Sequence, residues 1–185
     1  LQQALTDISD YAWIVFTSPT GVRVFFEELQ RKRFDVRRLS GVKFAVIGTG
    51  TAKDLEKHGF YADLMPEVFD AAHLGAALAK VCSHARVLIP RAAIGSPELL
   101  AELQKAEGVQ ADDIAIYDTV YGLEEDPEAS PVQIKRELEQ GAETYVLFTS
   151  ASTVKGFAAA AGDIAYTDVQ AICIGAQTKA AADAY

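Results

Sequence analysis

A pair of strand–turn–helix patterns occurs twice in this sequence, in the same order, and no other feature limits the fold as much. Residues 16–25 (FTSPTGVRVF) match residues 148–157 (FTSASTVKGF), which lie 132 positions further on. Residues 42–51 (VKFAVIGTGT) match residues 169–178 (VQAICIGAQT) at an offset of 127. One such match would be weak, because Phe-Thr-Ser before a helix is ordinary capping chemistry. Two matches in register predict two related α/β lobes.

Each copied pattern is typical of a buried strand that leads directly into a helix. In the first half, the apolar runs Trp13–Phe16 and Phe44–Ile47 predict the strands. Ser18 is a good N-cap, and Pro19 suits the first helical position, where its missing N–H costs nothing. Strands alternate with helices along the whole chain. The fold class expected is therefore α/β, with two related doubly wound parallel-sheet lobes and a cleft between them.

The remaining patterns predict further elements in both halves. Strands are expected at 61–65, 86–89, 112–117, 144–148 and 169–174. Helices are expected at 1–10 and 71–81, from Ser96-Pro97 to Gly108, and from Ser130-Pro131 to Gly141. The acidic stretch 122–129, which contains Pro127, predicts a linker.

Composition excludes several classes of protein. Half of the 185 residues are hydrophobic, so a sizeable core is expected. The net charge of −9 argues against a nucleic-acid surface, and the basic cluster at 31–38 is expected to be a solvated linker. No apolar run approaches the ~20 residues of a membrane span, and no signal peptide is recognisable. Cys82 and Cys173 lack metal-ligand spacing; Cys173, in an apolar run, predicts a buried structural thiol. A reduced, cytoplasmic protein is expected.

The turns that follow the strands predict an anion-binding site. In a parallel α/β sheet, ligands bind beyond the carboxyl ends of the strands, and each helix start carries about half a positive charge. If five such turns face one cleft, their backbones supply roughly two to three positive charges. Capping alone is the alternative explanation for each hydroxyl. The turns are Thr17-Ser18, Gly48–Thr51, Arg91–Ser96, Thr149-Ser150 and Gly175–Thr178.

Tyr117 is the side chain best suited to chemistry, because it ends a predicted strand at the edge where ligands bind. A phenol is protonated at neutral pH, so it would act as a hydrogen-bond donor or an acid. The alternative is a strand-end tyrosine that packs on the core. Other motifs are missing: there is no Gly-Lys-Ser/Thr of a P-loop and no G-x-S-x-G elbow. His58, His73 and His84, expected at the surface, have no metal spacing, so neither a metal nor a nucleotide is supported.

The motifs together resemble one known family. FTSP-x-x-V-x-x-F, V-x-x-A-x-I-G-x-x-T-A, V-L-I-P-R and I-Y-D-T, followed by a second FTS and I-G-x-x-T, are similar to uroporphyrinogen-III synthase. The resemblance covers nearly the whole chain in order. It implies two lobes joined by a two-stranded connector and an active site in the cleft between them. It also implies a cofactor-free reaction, in which linear hydroxymethylbilane loses water and closes to uroporphyrinogen III with its last pyrrole ring inverted.

The resemblance assigns roles to particular residues. Tyr117 would assist departure of the substrate hydroxyl. Side chains and backbone N–H groups would hold the substrate carboxylates. The residues expected to bind substrate are Thr17, Ser18, Thr51, Arg91, Ser150 and Thr178.

The resemblance also implies how the chain is divided. Residues 1–122 would form a complete lobe and 123–185 part of the second, whose first strand–helix–strand segment would precede residue 1. A monomer is expected, fused to or working with a uroporphyrinogen methyltransferase or a hydroxymethylbilane synthase. Two alternatives stay open: a non-catalytic tetrapyrrole-binding or regulatory module of the same fold, and a periplasmic-type small-ligand binding protein.

Overall fold

The chain folds into two compact units. The computed structural model describes residues 1–120, 135–136, 138, 144–162 and 169–185. The first unit is Leu1–Thr119 and the second is Val120–Tyr185. The predicted domain boundary after residue 122, the predicted linker at 122–129, and the helix ends expected at Ser130-Pro131 and Gly141 lie outside the described residues.

The elements alternate between strand and helix, as predicted. The first unit contains α1 (Gln2–Thr6), β1 (Tyr11–Phe16), α2 (Pro19–Arg31), β2 (Lys43–Val46), α3 (Thr49–Glu56), α4 (Ala71–Ala79), β3 (Arg86–Ala92), α5 (Glu98–Leu103) and β4 (Gln110–Tyr117), with 3-10 turns at Ile8–Asp10 and Val36–Leu39. The second unit contains β5 (Thr144–Phe148), α6 (Ala151–Ala161), β6 (Val169–Cys173) and α7 (Ala176–Ala182). The helix expected over 1–10 is thus α1 followed by a 3-10 turn.

All described strand pairs are parallel, so the predicted fold class is confirmed. The first sheet has the order β2-β1-β3-β4, and the second pairs β5 with β6. In the first sheet the chain moves outward from β1 to β2 and then returns to the other side of β1. The strand order therefore reverses between β1 and β3.

Strand β1 lies at the centre of the first unit because both of its faces are apolar. Ile14 and Phe16 join the cluster formed with α1, α2 and α3. Trp13 and Val15 point to the opposite face and join the cluster formed with α4 and α5. Strands β1, β2 and β3 are buried between two layers of helices, as expected for a parallel sheet, whereas the edge strand β4 is partly exposed.

The duplication seen in the sequence is also present in the backbone. Ser18 (φ −161°, ψ 154°) and Ser150 (φ −162°, ψ 161°) have nearly the same conformation. The Ser18 hydroxyl accepts from the N–H of Gly21 at 2.9 Å, and the Ser150 hydroxyl accepts from the N–H of Thr153 at 3.2 Å. The predicted N-cap Ser18 is confirmed, and Ser150 caps its helix in the same way.

The aromatic packing is repeated as well. The rings of Phe16 and Phe25 meet edge to face with centroids 5.4 Å apart at 67°. The rings of Phe148 and Phe157 meet at 5.5 Å and 73°. The two strand–helix pairs therefore pack in the same way in both units.

The strand predicted at 61–65 is wrong. Only Leu64 pairs with β2, as an isolated bridge to Ala45. The reason is that the N–H of Phe44 donates to the side chain of Asp63 at 2.8 Å. In a longer strand pair this N–H would donate to a backbone carbonyl instead.

The helix expected from Ser96-Pro97 to Gly108 is shorter than predicted, and Ser96 does not cap it. Helix α5 begins at Glu98, with Pro97 in the N-cap position and no side-chain cap. The Ser96 hydroxyl donates instead to the carboxylate of Glu98, and its carbonyl oxygen accepts from Arg91.

Cys173 differs from expectation too. It is half-buried, whereas Cys82 is buried, and both thiols are free. Cys173 lies on β6 between Ile172 and Ile174, which are exposed, so the apolar run does not make a fully buried strand.

Candidate active site

The carboxyl ends of the strands in the first unit define the place where a ligand is expected. The strand order reverses between β1 and β3. At such a reversal the loops diverge to either side, which leaves a crevice just outside the sheet. Ser18 follows β1, and Tyr117 is the last residue of β4.

The structure brings Ser18 and Tyr117 together at this crevice. Their hydroxyl oxygens lie 2.8 Å apart, so Tyr117 reaches past the end of β3 to the start of α2. A Cβ on Gly21 would lie 3.3 Å from the carbonyl oxygen of Pro90 on β3. Glycine at this position therefore lets the first turn of α2 approach the strand end closely. Thr17 precedes the cap and is half-buried.

Thr51 lies in the first turn of α3, beside the same crevice. Gly48 is the N-cap of α3 and Thr51 is the third helical residue, only 2% exposed. A Cβ on Gly50 would lie 3.8 Å from Cγ of Pro19, so the starts of α2 and α3 are neighbours. The start of α3 has no side-chain cap, whereas at the start of α2 Pro19 has no N–H and the N–H of Gly21 is bound by Ser18.

The guanidinium of Arg91 is engaged within the first unit. Its Nε and Nη2 each donate to the carboxylate of Asp113 at 2.7 Å, and its Nη1 donates to the carbonyl of Ser96 at 2.7 Å. The Arg91 side chain is 6% exposed. A Cβ on Gly95 would overlap the guanidinium at 2.5 Å, so the glycine makes room for it. The Arg91 guanidinium is therefore not available to a substrate. Substrate binding by the backbone N–H of Arg91 stays a prediction.

Asp113 was not identified from the sequence. The signal that could have found it is a carboxylate inside a strand, where Asp is rare. In the parallel register, Asp113 pairs with Ile89 of the neighbouring strand β3, two residues before Arg91. Sequence alone does not give this register.

The second unit repeats the arrangement at its own helix starts. Ser150 forms a capping box with Thr153, and Thr178 is the third residue of α7 after the N-cap Gly175. Thr178 is 5% exposed, like its counterpart in α3. Substrate binding by Ser150 and Thr178 stays a prediction.

The described contacts of the histidines are with other residues. His58 is half-buried, contrary to expectation, because its ring stacks on Phe26 with centroids 4.1 Å apart. His73 bonds to Asp70, the N-cap of α4, and His84 is exposed. Within the described ranges, no group of His, Cys, Asp and Glu could hold a metal ion. No helix in the described part of the chain is long and apolar enough to cross a membrane.

Known proteins agree on one family. The profile of the family described as "Uroporphyrinogen-III synthase HemD" matches residues 1–185. The chain belongs to the uroporphyrinogen-III synthase family. The prediction made from the sequence motifs is therefore confirmed.

Relatives in this family differ in how much of their length the chain covers. The chain is 36% identical to the porphyrin biosynthesis protein HemD of Ruminiclostridium josui, over all of the chain but 36% of that protein. It is 30% identical to the uroporphyrinogen-III synthase of Chlorobaculum parvum, over 95% of the chain and 70% of that protein. The chain thus spans about a third of the first relative and more than two thirds of the second.

Solved uroporphyrinogen-III synthase structures share the fold. A mutant of the Thermus thermophilus enzyme superposes with a TM-score of 0.67 at 17% identity, covering 99% of this chain and 72% of that one. The Helicobacter pylori structure gives a TM-score of 0.58 at 20% identity, covering 91% and 70%. At these identities the likeness shows the fold of the family.

Proposed function

We propose that this chain carries a uroporphyrinogen-III synthase activity, converting hydroxymethylbilane to uroporphyrinogen III with loss of water. The observation that carries the proposal is the hydroxyl pair of Ser18 and Tyr117 at the strand-order reversal of a chain from this family. A protonated phenol at that position is suited to give a proton to a departing hydroxyl group.

The hydrogen bonds around Ser18 favour this direction of proton transfer. The Ser18 oxygen accepts from the N–H of Gly21, and its own proton is free to be donated to the oxygen of Tyr117. The phenolic proton of Tyr117 can then go to the substrate hydroxyl. As the carbon–oxygen bond breaks and water leaves, the Ser18 hydroxyl stabilises the negative charge that develops on Tyr117.

The helix starts would hold the substrate carboxylates. In the first unit, the starts of α2 and α3 lie side by side and supply about one effective positive charge from their backbones. We assign carboxylate binding to Thr17, Ser18 and the backbone N–H groups of these helix starts, and in the second unit to the helix start at Ser150. Thr51 and Thr178, which are 2% and 5% exposed, would contribute through the backbone of their turns. For Arg91 we retain only the backbone N–H, because its guanidinium is paired with Asp113.

Positioning would supply most of the catalysis. Loss of water leaves an electron-poor carbon on the first pyrrole. The last pyrrole ring can attack this carbon through either of two of its own carbons. After attack by the substituted carbon, the bond from that carbon to its methylene bridge must break and the bridge must bond to the unsubstituted carbon of the same ring, which inverts the ring. The proton lost from that unsubstituted carbon restores the phenol. Holding the open chain in the required fold lowers the barrier by fixing the reacting atoms close together.

The experiment is incubation of the protein with enzymatically generated hydroxymethylbilane, followed by separation of isomers I and III. Isomer III is expected from the unaltered protein. Tyr117→Phe should lower kcat about 10²-fold or more while changing substrate binding little, because general acid catalysis is worth that much. Isomer I alone, at the rate of unaided closure, would rule out the synthase activity. Full activity in Tyr117→Phe would rule out the acid role.

We further propose a cytoplasmic monomer that works with, or is fused to, a uroporphyrinogen methyltransferase or a hydroxymethylbilane synthase. The support for a fusion is the length of the Ruminiclostridium josui relative, of which the matching part is 36%.

A further inference from the structure

An exposed aromatic residue, Phe69, lies against the start of α3 and has no part in the site described so far. A Cβ on Gly48 would lie 3.1 Å from Cγ of Phe69 and 3.3 Å from its Cβ and Cδ2. The ring therefore rests on the glycine backbone, and a side chain there would push it away. Phe69 nevertheless keeps 53% of its surface exposed.

Hydrogen bonds hold the backbone turn that carries Phe69. The N–H of Asp70 donates to the carbonyl of Val68 at 2.9 Å, which makes a three-residue turn centred on Phe69. Asp70 then caps α4 by accepting from the N–H of His73 at 2.8 Å. An exposed side chain on a fixed turn loses little freedom when it binds a ligand.

The position of the ring complements the polar groups of the site. Gly48 stands three residues before Thr51, and the start of α3 touches the start of α2. Hydroxyls and N–H groups at these helix starts suit carboxylates, but they offer nothing to the flat face of an aromatic ring. A linear tetrapyrrole carries both kinds of group: carboxylate side chains and four pyrrole rings.

Phe69 lies in the connection between α3 and α4, which places its ring beside the glycine N-cap of α3.

We propose that Phe69 is a substrate-positioning residue whose ring packs against one pyrrole of the linear tetrapyrrole. The inference rests on the proposed function. An aromatic pair of this kind prefers an offset-stacked or edge-to-face arrangement. The ring would hold one pyrrole while the helix starts hold carboxylates of the same substrate. Together these contacts limit the conformations that the linear tetrapyrrole can adopt before it closes.

The test compares three substitutions of Phe69 with a matched control. Phe69→Ala and Phe69→Leu should raise KM for enzymatically generated hydroxymethylbilane about tenfold and increase the share of isomer I, with kcat changed less. Phe69→Tyr keeps the ring and should restore KM to within about twofold of the unaltered value. Val68→Ala removes a neighbouring apolar side chain of similar exposure, 50%, and should leave KM unchanged.

A second readout, which needs no turnover, is the affinity for uroporphyrin III, measured by the fluorescence of this porphyrin. The affinity should be weakened by Phe69→Ala and Phe69→Leu and little changed by Phe69→Tyr and Val68→Ala. Equal KM and equal uroporphyrin III affinity in Phe69→Ala and Val68→Ala, in a protein that makes isomer III, would overturn the inference and leave the proposed function standing. Failure of the unaltered protein to make isomer III would overturn both. A fall of more than about 5 °C in the melting temperature of Phe69→Ala would indicate a structural role instead.

Discussion

Arg91 stands at the carboxyl end of β3, where an arginine would be expected to meet an anionic ligand, yet its charge is used internally. Two of its N–H groups form a bidentate pair with Asp113, and a third binds the carbonyl of Ser96. A planar guanidinium fits this set of acceptors, whereas an ammonium group cannot reach all three. The residue therefore fixes the loop after β3 to β4.

Replacing Arg91 by Lys should lower the free energy of unfolding by about 1–3 kcal/mol, because a charge-assisted bidentate pair is lost. Urea denaturation measures the loss. Asp113→Asn should cost a similar amount, and the double substitution should cost less than the sum of the two, because the residues share one interaction. Unchanged stability in Arg91→Lys together with weaker uroporphyrin III binding would instead make the guanidinium a ligand.

The same residues show how far sequence reasoning reaches at this scale. The sequence predicts the cap at Ser18 because capping depends on neighbours within three residues. The bond between Ser18 and Tyr117 joins residues 99 positions apart, and it exists only because β3 lies between β1 and β4. Hydrophobic patterns predict strands but not their order, so this contact could not be predicted.

At the scale of elements, one cluster ties three strands together at the edge opposite the candidate site. Tyr11 of β1 donates a short hydrogen bond to Asp112 of β4, and Arg86 of β3 donates to both, at 3.0 Å and 2.7 Å. The Arg86 guanidinium lies over the Tyr11 ring at 4.4 Å. Burial, and then the nearby Asp112 carboxylate, raise the pKa of Tyr11 to about 12.

This cluster predicts a loss of stability at high pH. The folded protein keeps the Tyr11 proton between pH 10 and about 12, while the unfolded chain releases it. The contribution of Tyr11 to the free energy of unfolding should therefore be complete below pH 10. It should fall by about 2–3 kcal/mol as the pH rises to 12. Denaturant titrations of the unaltered protein and Tyr11→Phe over this range isolate the contribution of Tyr11. Parallel pH curves for the two proteins would contradict the prediction.

At the scale of the whole molecule, the two copies of the folding pattern have diverged in the size of their core side chains. In the first unit, Phe26, Phe44 and Leu55 are buried. The duplicated positions in the second unit hold alanines, one of them exposed, and a half-open pocket of about 130 Å³ lies there. These alanines are Ala158, Ala171 and Ala182. Sequence periodicity predicts which face of each element is apolar, but it does not predict whether that face is filled.

Filling the cavity should therefore stabilise the second unit alone. Ala182→Leu copies the residue found at Leu55 and should raise the free energy of unfolding of α7 by about 0.5–2 kcal/mol, the usual gain from filling a cavity. Hydrogen exchange of backbone amides is the right measurement, because it reports β6 and α7 separately from β1 and β2. Ala159→Leu, on the exposed side of α6, is the matched control and should change protection by less than about 0.5 kcal/mol. If Ala182→Leu instead lowers the protection of amides in α7 from exchange, the space is too constrained for a larger side chain. The alanines would then already fit the packing of the second unit.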